Sequence, residues 1–416
     1  MSKLEQLIKE LCPNGVPYKT LGELGVFYGG LSGKSKEDFK GGNCKFITYM
    51  NVYSNPALKL DVTDTVRIAE GEKQNTIQYG DVIFTGSSET PDECGISSVL
   101  TRHTDEKLYL NSFCMGYRLN DLNIFTPDFL KHLFRSSNLR EQIRKTASGV
   151  TRFNVSKDKM KKVVIPVPPL PVQSEIVRIL DNFTELTAEL TAELTARKNQ
   201  YTYFRNRLMN FDDTIPVCHL GEVCTVQSGG TPSKKNDQYW QHGTIKWLGS
   251  TVCKDKKTVD EITDYITEQG LLKSSAKLMK TETTLIALVG ATIGKVAFLP
   301  FEATINQNIA GIYPIDTKQL DPSFVYYSCQ MLYPKFATLT QGSKLAMANL
   351  SFVRGVTIPV PPIAEQKRIV SILDRLDLFC NNISEGLPAE IECRQRQYEY
   401  YRDKLLSFTP LSVKGE

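Results

Sequence analysis

Two glycine-rich stretches carry the residue types from which phosphate-binding loops are built. The first is GGLSGKS, which begins at Gly29, and the second is GATIGK, which begins at Gly290. A Walker A loop needs four residues between its first Gly and the Gly-Lys pair, followed by Ser or Thr, so that backbone N–H groups surround the phosphates. Both stretches leave only three residues in that interval, and GATIGK is followed by Val. They therefore predict turns and not a nucleotide site.

Other patterns that would indicate catalysis are missing from the sequence. The four histidines are far apart and form no H-E-x-x-H pair, no C-x-x-C pair occurs, and no G-x-S-x-G elbow is present; the histidines are His103, His132, His219 and His242. These are the spacings that zinc sites and serine hydrolases require. The Asn-Pro-Pro-Tyr and Asp-Pro-Pro-Tyr boxes of amino-methyltransferases are also missing. We expect a chain with no catalytic residue, no metal site and no cofactor of its own.

Small polar and basic residues are instead concentrated in loops that occur in two places. GGLSGKSKEDFK parallels SGGTPSKKNDQYW, and GVTRFNVSKDKMKK parallels GSKLAMANLSFVRG. Lys and Arg can neutralise phosphates, while Ser, Thr, Asn and Arg can bind base edges. Taken singly, such residues can equally be solvated turn residues. Their recurrence predicts a DNA-binding set, which comprises Lys34, Ser35, Lys36, Thr151, Arg152, Asn154, Thr231, Ser233, Lys234, Lys235, Lys295 and Lys344.

The composition is that of an ordinary globular protein. Of the 416 residues, 41% are hydrophobic and 23% charged, and the net charge of +4 does not by itself indicate nucleic acid. Ten cysteines without paired spacing, and no secretory signal, predict reduced thiols in a cytoplasmic protein. The most apolar stretch, TLIALVGATIGKVAFL, is interrupted by Gly and Lys, so we expect no membrane span.

The sequence contains an internal duplication. VVIPVPPLPVQSEIVRILD, from Val163, recurs as VTIPVPPIAEQKRIVSILD, from Val356, at an offset of 193 residues (356 − 163). QYTYFRNRLMNF recurs as QYEYYRDKLLSF at an offset of 197 (397 − 200). A repeat of nearly 200 residues is too long for a solenoid unit. It predicts two copies of one domain, each followed by its connector.

The connector of the first copy contains a repeated four-residue unit in the segment ELTAELTAELTA, from Glu185 to Ala196. All its residues except Thr are good helix formers. Four residues turn a helix by about 400° and lengthen it by about 6 Å, so Leu186, Leu190 and Leu194 stay on nearly one face. We interpret these leucines as a helical spacer whose length matters.

The helix, from about Ile176 to Leu208, needs a partner for its apolar stripe. The simplest partner is the matching segment from Ile369 to Leu405 of the second copy, lying antiparallel to it. We expect that pairing to bury Leu190 in a core. The second segment carries Gly386 and Pro388, and proline inside a helix removes a hydrogen bond, so we expect a kink at 386–388.

These observations predict an α/β (α+β) fold with two similar domains related by a pseudo-two-fold axis and joined by two long antiparallel coiled-coil helices. The domains carry short β-rich runs separated by Gly, Asn, Ser and Pro. The predicted boundaries are 1–163 and 213–356 for the two globular domains, 164–212 and 357–408 for the helical spacers, and 409–416 for a tail.

The sequence resembles a known family, the specificity subunit of type I restriction-modification enzymes. The resemblance is carried by IPVPPLPVQSEIVRILDNFTELTAELTAEL, RKNQYTYFRNRLMNF, IPVPPIAEQKRIVSILD and ISEGLPAEIECRQRQYEYYRDKLLSF. It covers the whole chain, since two variable domains alternating with two helical regions is the family layout. The tandem Thr-Ala-Glu-Leu words resemble the type IC branch.

The resemblance implies a function on double-stranded DNA. Each globular domain would read one half of a bipartite target, and the repeat number would set the gap between the halves. Two modification subunits, which bring S-adenosylmethionine, would dock on the helices, and restriction subunits would join them. Recognition domains vary within the family, so no base-reading residue is carried over; SGGTPS and ATIGKVAFL resemble recurring family segments, but their first-copy counterparts are YGGLSG and CGISSVL.

Two other readings remain open at this point. The chain is alternatively a self-contained, bipartite DNA-binding regulator or architectural protein, which would bind specific DNA tightly on its own. It is otherwise a scaffold, which would show no salt-dependent DNA affinity.

Overall fold

The computed structural model describes residues 2–259, 261–338, 347–381 and 386–411. The chain divides into two compact units. Unit 1 comprises Met1–Glu189 together with Glu392–Glu416, and unit 2 comprises Leu190–Ile391. Each unit mixes helices with β-sheets, so the predicted α/β class is confirmed.

Unit 1 is built around short strands. They are β1 (Tyr18–Thr20), β2 (Gly25–Gly29), β3 (Cys44–Ile47), β4 (Thr65–Val66), β5 (Thr76–Ile77), β6 (Val82–Thr85), β7 (Ser87–Ser88), β8 (Ser97–Val99), β9 (Leu108–Leu110), β10 (Cys114–Leu119), β11 (Ala147–Ser148), β12 (Phe153–Val155) and β13 (Val164–Pro166). Its helices are α1 (Lys3–Leu11), α2 (Leu21–Leu24), α3 (Tyr49–Ser54), α4 (Pro127–Leu133), α5 (Ser137–Arg144), α6 (Lys157–Met160) and the first half of α7 (Leu170–Leu208).

Unit 2 repeats this organisation. Its strands are β14 (Val217–His219), β15 (Cys224–Ser228), β16 (Ile245–Leu248), β17 (Asp264–Ile266), β18 (Leu278–Met279), β19 (Thr284–Ala287), β20 (Val296–Phe298), β21 (Ala303–Ile305), β22 (Ile309–Pro314) and β23 (Thr357–Pro359). Its helices are α8 (Leu220–Val223), α9 (Glu268–Leu272), α10 (Pro322–Gln330), α11 (Tyr333–Ala337), α12 (Leu350–Gly355), α13 (Ile363–Asn381) and the start of α14 (Leu387–Leu405).

Two four-stranded sheets and a two-stranded ladder have the same topology in both units. Unit 1 has an antiparallel sheet of order β2-β10-β6-β8 and a mixed sheet of order β4-β3-β9-β5, in which β3 and β9 are parallel. Unit 2 has β15-β22-β19-β20 and β17-β16-β21-β18, in which β16 and β21 are parallel. Each unit also has a two-stranded ladder, β1-β13 or β14-β23, and the second strand of that ladder directly precedes the long helix in the chain. The sequence duplication is therefore a duplication of fold.

Each long helix begins just after the Pro-rich strand and is packed into the core of its own unit. Helix α7 starts at Leu170 with Pro171 next, a position where the missing N–H costs nothing. Its residues Ile176 and Leu180 are fully buried in unit 1. Ile369 and Leu373 of α13, at the same offset of 193, are fully buried in unit 2.

A buried glutamine fastens α7 to the domain in unit 1. Gln173 has no exposed surface. Its Oε1 accepts a hydrogen bond from the N–H of Thr126 at 2.9 Å, and its Nε2 donates to the carbonyls of Ile124 and Pro168, both at 2.8 Å. Thr126 is the N-cap of α4. One side chain thus joins the start of two helices.

The same lock occurs in unit 2. Gln366 is also fully buried, and its Oε1 accepts from the N–H of Asp321 at 2.8 Å. Its Nε2 donates to Gln319 O at 2.9 Å and to Pro361 O at 2.7 Å. Asp321 is the N-cap of α10, the counterpart of α4. Both globular domains are therefore held to their helices by the same three hydrogen bonds.

Two turns further along each helix, an aspartate makes a second attachment. Asp181 accepts hydrogen bonds from Lys131 at 2.9 Å and from His132 Nε2 at 2.8 Å. Burial lowers the pKa of His132, although Asp181 partly offsets this. Asp374 accepts from the hydroxyl of Tyr327 at 2.5 Å and pairs with Lys257.

The two helical segments contact each other within each unit. In unit 1 Phe183 stacks on Tyr401, with ring centroids 5.3 Å apart. In unit 2 Tyr201 shares a hydrophobic core with Ile369 and Leu373. The antiparallel direction and the pseudo-two-fold axis stay predictions.

The apolar stripe of α7 is not buried along its whole length, and here the sequence-based expectation is wrong. Leu186 is 45% exposed, and Leu190 and Leu194 are only half-buried. The core positions lie on either side of the repeat, at Leu180 and at Tyr201. Because a half-buried site lets a carboxylate reach water, Leu190→Asp does not create the buried unpaired charge that a core leucine would.

The second helical segment consists of two helices. Helix α13 ends at Asn381 and α14 begins at Leu387, with Pro388 in its first turn, where proline is tolerated. The predicted kink at 386–388 therefore falls at the start of α14, and residues 382–385 before it lie outside the described residues.

We expect Gln173→Leu and Gln366→Leu each to destabilise the unit that contains the change. Leucine fills a similar volume but leaves three buried backbone groups unpaired, at about 1–3 kcal/mol each. Thermal unfolding of the purified chain should show a lower midpoint for one transition. Gln200→Leu, an exposed position on the same helix, is the matched control; equal midpoints for it and for Gln173→Leu would contradict the lock.

Candidate nucleic-acid interface

In the basic loop of unit 1, at Lys34–Lys36, some of the polar side chains already make internal contacts. Lys34 retains only 9% of its side-chain exposure, and its Nζ bonds Glu72 at 2.6 Å and the carbonyl of Arg67 at 2.7 Å. Hydrogen bonds from Lys34, from the N–H of Ala69 and from Gln74 together lower the pKa of Glu72 to about 2. Ser35 donates its hydroxyl to Asp38 at 2.8 Å. Lys36, in contrast, is exposed, and it makes no ion pair within the part of the chain that is described.

The corresponding loop of unit 2 shows the same division. Lys234 lies 3.4 Å from the ring centre of Trp240 and 2.7 Å from a carboxylate oxygen of Asp264. The neighbouring Lys235 is exposed and has no ion pair among the residues that the structure covers. Lys235 can therefore meet a phosphate without first breaking a contact, whereas Lys234 cannot.

The polar residues before these lysines also have internal partners. The hydroxyl of Thr231 donates to Gln307 Oε1 at 2.6 Å. The carbonyl of Ser233 accepts from the indole N–H of Trp240 at 3.1 Å. These contacts shape the loop, and the exposed Ser233 hydroxyl remains accessible from solvent.

The remaining lysines of the predicted set are Lys295 and Lys344. Lys295 is half-buried in the turn that follows Gly290, where its backbone N–H bonds the carbonyl of Thr292 at 2.9 Å. Burial raises the pKa of Asp255, and the charge of Lys295 partly offsets this effect. Lys344 lies outside the described residues.

A hairpin in unit 1 brings together three more residues of the predicted set. Strands β11 and β12 pair, and β12 also pairs with β7, with Asn154 opposite Ser87. The turn requires Gly149, whose φ is +147° and at which a Cβ would lie 1.9 Å from the carbonyl oxygen of Arg152. Thr151, Arg152 and Asn154 are exposed on this hairpin.

Arg152 is placed over an exposed aromatic ring. Its guanidinium carbon lies 5.1 Å from the ring centre of Phe113, within the range of a cation–π contact. Phe113 is 53% exposed. The backbone holds Phe113 in place, because the N–H of Gly86 donates to its carbonyl at 2.7 Å.

These groups line a cleft with a volume of about 470 Å³. The lining side chains come from β7 and the loop after it, the hairpin, the start of α3 and the residue before β10; they are Tyr49, Ser87, Ser88, Glu89, Glu93, Phe113, Thr151 and Arg152. One wall is fixed by Glu93, which accepts from the hydroxyls of Tyr53 at 2.8 Å and Ser88 at 3.0 Å. Those hydrogen bonds hold the pKa of Glu93 below its usual value.

The structure thus groups some of the predicted residues and leaves others apart. Thr151 and Arg152 share one cleft, and Thr231, Ser233, Lys234 and Lys235 share one loop. The Lys34–Lys36 loop does not line the cleft. Sequence reasoning missed Phe113 and Trp240, because nothing in the local sequence shows that an aromatic ring lies under a particular cation.

Metal-binding clusters, disulfides and membrane spans were looked for in the described residues. They contain no group of three or more His, Cys, Asp or Glu side chains that could hold a metal ion. All ten cysteines are free thiols. Within the same residues, no helix combines the length and apolarity needed to cross a bilayer.

Comparison with known proteins identifies both halves of the chain. A family described as the type I restriction modification DNA specificity domain matches residues 13–197 and again residues 213–393. The specificity subunit of the type I restriction enzymes EcoR124I/EcoR124II of Escherichia coli is 41% identical over 268 residues. That match covers 61% of this chain and 65% of the relative, so the chain spans just under two thirds of its length.

A second relative and two solved structures agree. A type I restriction enzyme specificity subunit of Haemophilus influenzae is 34% identical over 280 residues, covering 63% of this chain and 68% of the relative. A structure from a study of type I R-M complex assembly has a TM-score of 0.63 at 20% identity, covering 95% of this chain and 98% of that one. The S subunit from M. genitalium has a TM-score of 0.53 at 16% identity, with 94% and 96% covered. At such identities the likeness shows the fold. Since both halves match one family model, the chain belongs to the type I restriction-modification DNA specificity family.

Proposed function

We propose that this chain is the non-catalytic DNA recognition subunit of a type I restriction-modification complex, and that each unit reads one half of a bipartite target. The main observation in support of this proposal is the duplicated fold, in which an equivalent buried glutamine joins each recognition domain to a long helix. Two similar readers on one chain are what a target with two half-sites requires. Family membership of both halves supports the same conclusion.

The catalytic groups would come from other chains. The relatives are specificity subunits of restriction enzymes, and one structural neighbour comes from work on assembly of such a system. We propose that two modification subunits, carrying S-adenosylmethionine, dock on the helices, and that restriction subunits join them. The half-exposed repeat around Leu186 and Leu190 leaves apolar surface on α7 available for such contacts. Ten free thiols fit an assembly that works in the reducing cytoplasm.

The proposal is tested by mapping methylation with the chain and its modification subunit together. A DNA library with a randomised target should yield two short half-sites separated by a fixed gap. The chain without the modification subunit should show only weak, salt-sensitive DNA binding. Tight specific binding by the isolated chain would favour the stand-alone regulator instead, and a single contiguous site would contradict two readers.

The lysines of the unit 2 loop allow a test of phosphate contact. Lys235→Ala should weaken binding by the assembled methyltransferase and reduce the slope of log affinity against log salt by about one unit. Lys234→Ala should change that slope less, because Lys234 already pairs with Asp264 and Trp240. Binding is measured from low to moderate salt; equal slopes for the two variants would show that the internal pairing does not decide which lysine contacts DNA.

A further inference from the structure

The cleft of unit 1 contains two charged side chains of opposite sign that are not paired with each other. Arg152 and Glu89 both line it and are exposed. Neither makes an ion pair within the described part of the chain. Because neither charge is used in an internal ion pair, both side chains can form hydrogen bonds with a ligand in the cleft.

We propose that this cleft reads one G·C base pair of the half-site bound by unit 1, with Arg152 on guanine and Glu89 on cytosine. The inference rests on the proposed function, and it names the residues and the base pair that the function leaves open. In the major groove, guanine presents two acceptors, O6 and N7, and its partner cytosine presents one donor, the N4 amino group. A guanidinium and a carboxylate complement that edge.

The contact of Arg152 with Phe113 suits a base contact. The guanidinium carbon lies over the ring, 5.1 Å from its centre, and the N–H groups of Arg152 make no hydrogen bond to any of the described residues. The planar fork can therefore form two parallel hydrogen bonds to O6 and N7, a geometry that a lysine ammonium cannot supply. Holding the fork against a ring also reduces the conformational entropy lost on binding.

The charge of the cleft disfavours a phosphate as the ligand of Arg152. Glu89 and Glu93 line the same cleft, so one cation faces two carboxylates. Hydrogen bonds from Tyr53 and Ser88 engage Glu93 and lower its pKa. Glu93 is therefore part of the wall, whereas the free Glu89 can accept from an amino group. A phosphate would be repelled by both carboxylates, while the edge of a neutral base pair would not.

The elements that carry the two residues are fixed to each other. Glu89 follows β7, and β7 pairs with β12, which follows Arg152. The N–H of Val155 also donates to the carbonyl of Gly86 at 2.9 Å, and Gly86 in turn binds the backbone of Phe113. A recognition site on connected strands keeps its side chains at the spacing that base reading needs.

The test uses the assembled methyltransferase and a set of DNA targets in which each position of both half-sites is varied singly. Arg152→Ala and Glu89→Gln should each reduce discrimination about tenfold or more at one position, a G·C pair in the half-site of unit 1. Both variants should affect the same position, and the half-site of unit 2 should be read as before. The salt slope should not change.

Several outcomes would overturn the inference. Uniform weakening on all targets with a shallower salt slope would make Arg152 a phosphate contact. Loss at an A·T pair, loss at two different positions, or no loss would each contradict the assigned pair. Arg144→Ala, which removes an arginine paired with Asp92 outside the cleft, is the control and should change nothing at that position. Unchanged thermal unfolding of the variants excludes misfolding. If the wild-type complex shows no bipartite target at all, the proposed function fails, and not only this assignment.

Discussion

The structure depends on the attachment of each recognition domain to the start of a long helix. Gln173 and Gln366 make the same three hydrogen bonds to backbone groups, and both are completely buried. A buried amide that satisfies three backbone groups is costly to disturb, so it fixes one geometry. Asp181 and Asp374 add a second attachment two turns along. Two attachments on one helix prevent the domain from rotating about either.

This attachment gives the four-residue repeat a physical meaning. A spacer can set a distance only if its ends are fixed to what it separates. On the unit 1 side the fixed end is the buried face of α7 that ends at Leu180, and on the unit 2 side it is Tyr201. The leucines between them are half-buried or exposed, so the number of repeat words can change without altering either core. The repeat is thus the part of α7 that is least constrained by packing.

Some of this follows from the sequence and some does not. The 193-residue offset and the helix-forming repeat predict two copies of one fold with long helices, because repetition and periodicity are local properties of the sequence. Contacts between distant residues have no such signal. The sequence places Lys34 in the DNA-binding set but does not show that Lys34 pairs with Glu72, and it predicts a buried Leu190 that is only half-buried. The cleft combines Phe113 with Arg152, which are brought together only by strand pairing.

We propose that the length of α7, which is held in the cores of the two units at Leu180 and at Tyr201, sets the gap between the two half-sites. Inserting one more TAEL word after Leu194 lengthens the helix by about 6 Å and turns it by about 40° beyond a full turn. The measurement is methylation, by the assembled complex, of a DNA library in which only the gap varies, with four alanines inserted as a length-matched control. We predict unchanged half-site sequences and, for both insertions, a preferred gap longer by one or two base pairs. A preferred gap that stays fixed would contradict the account.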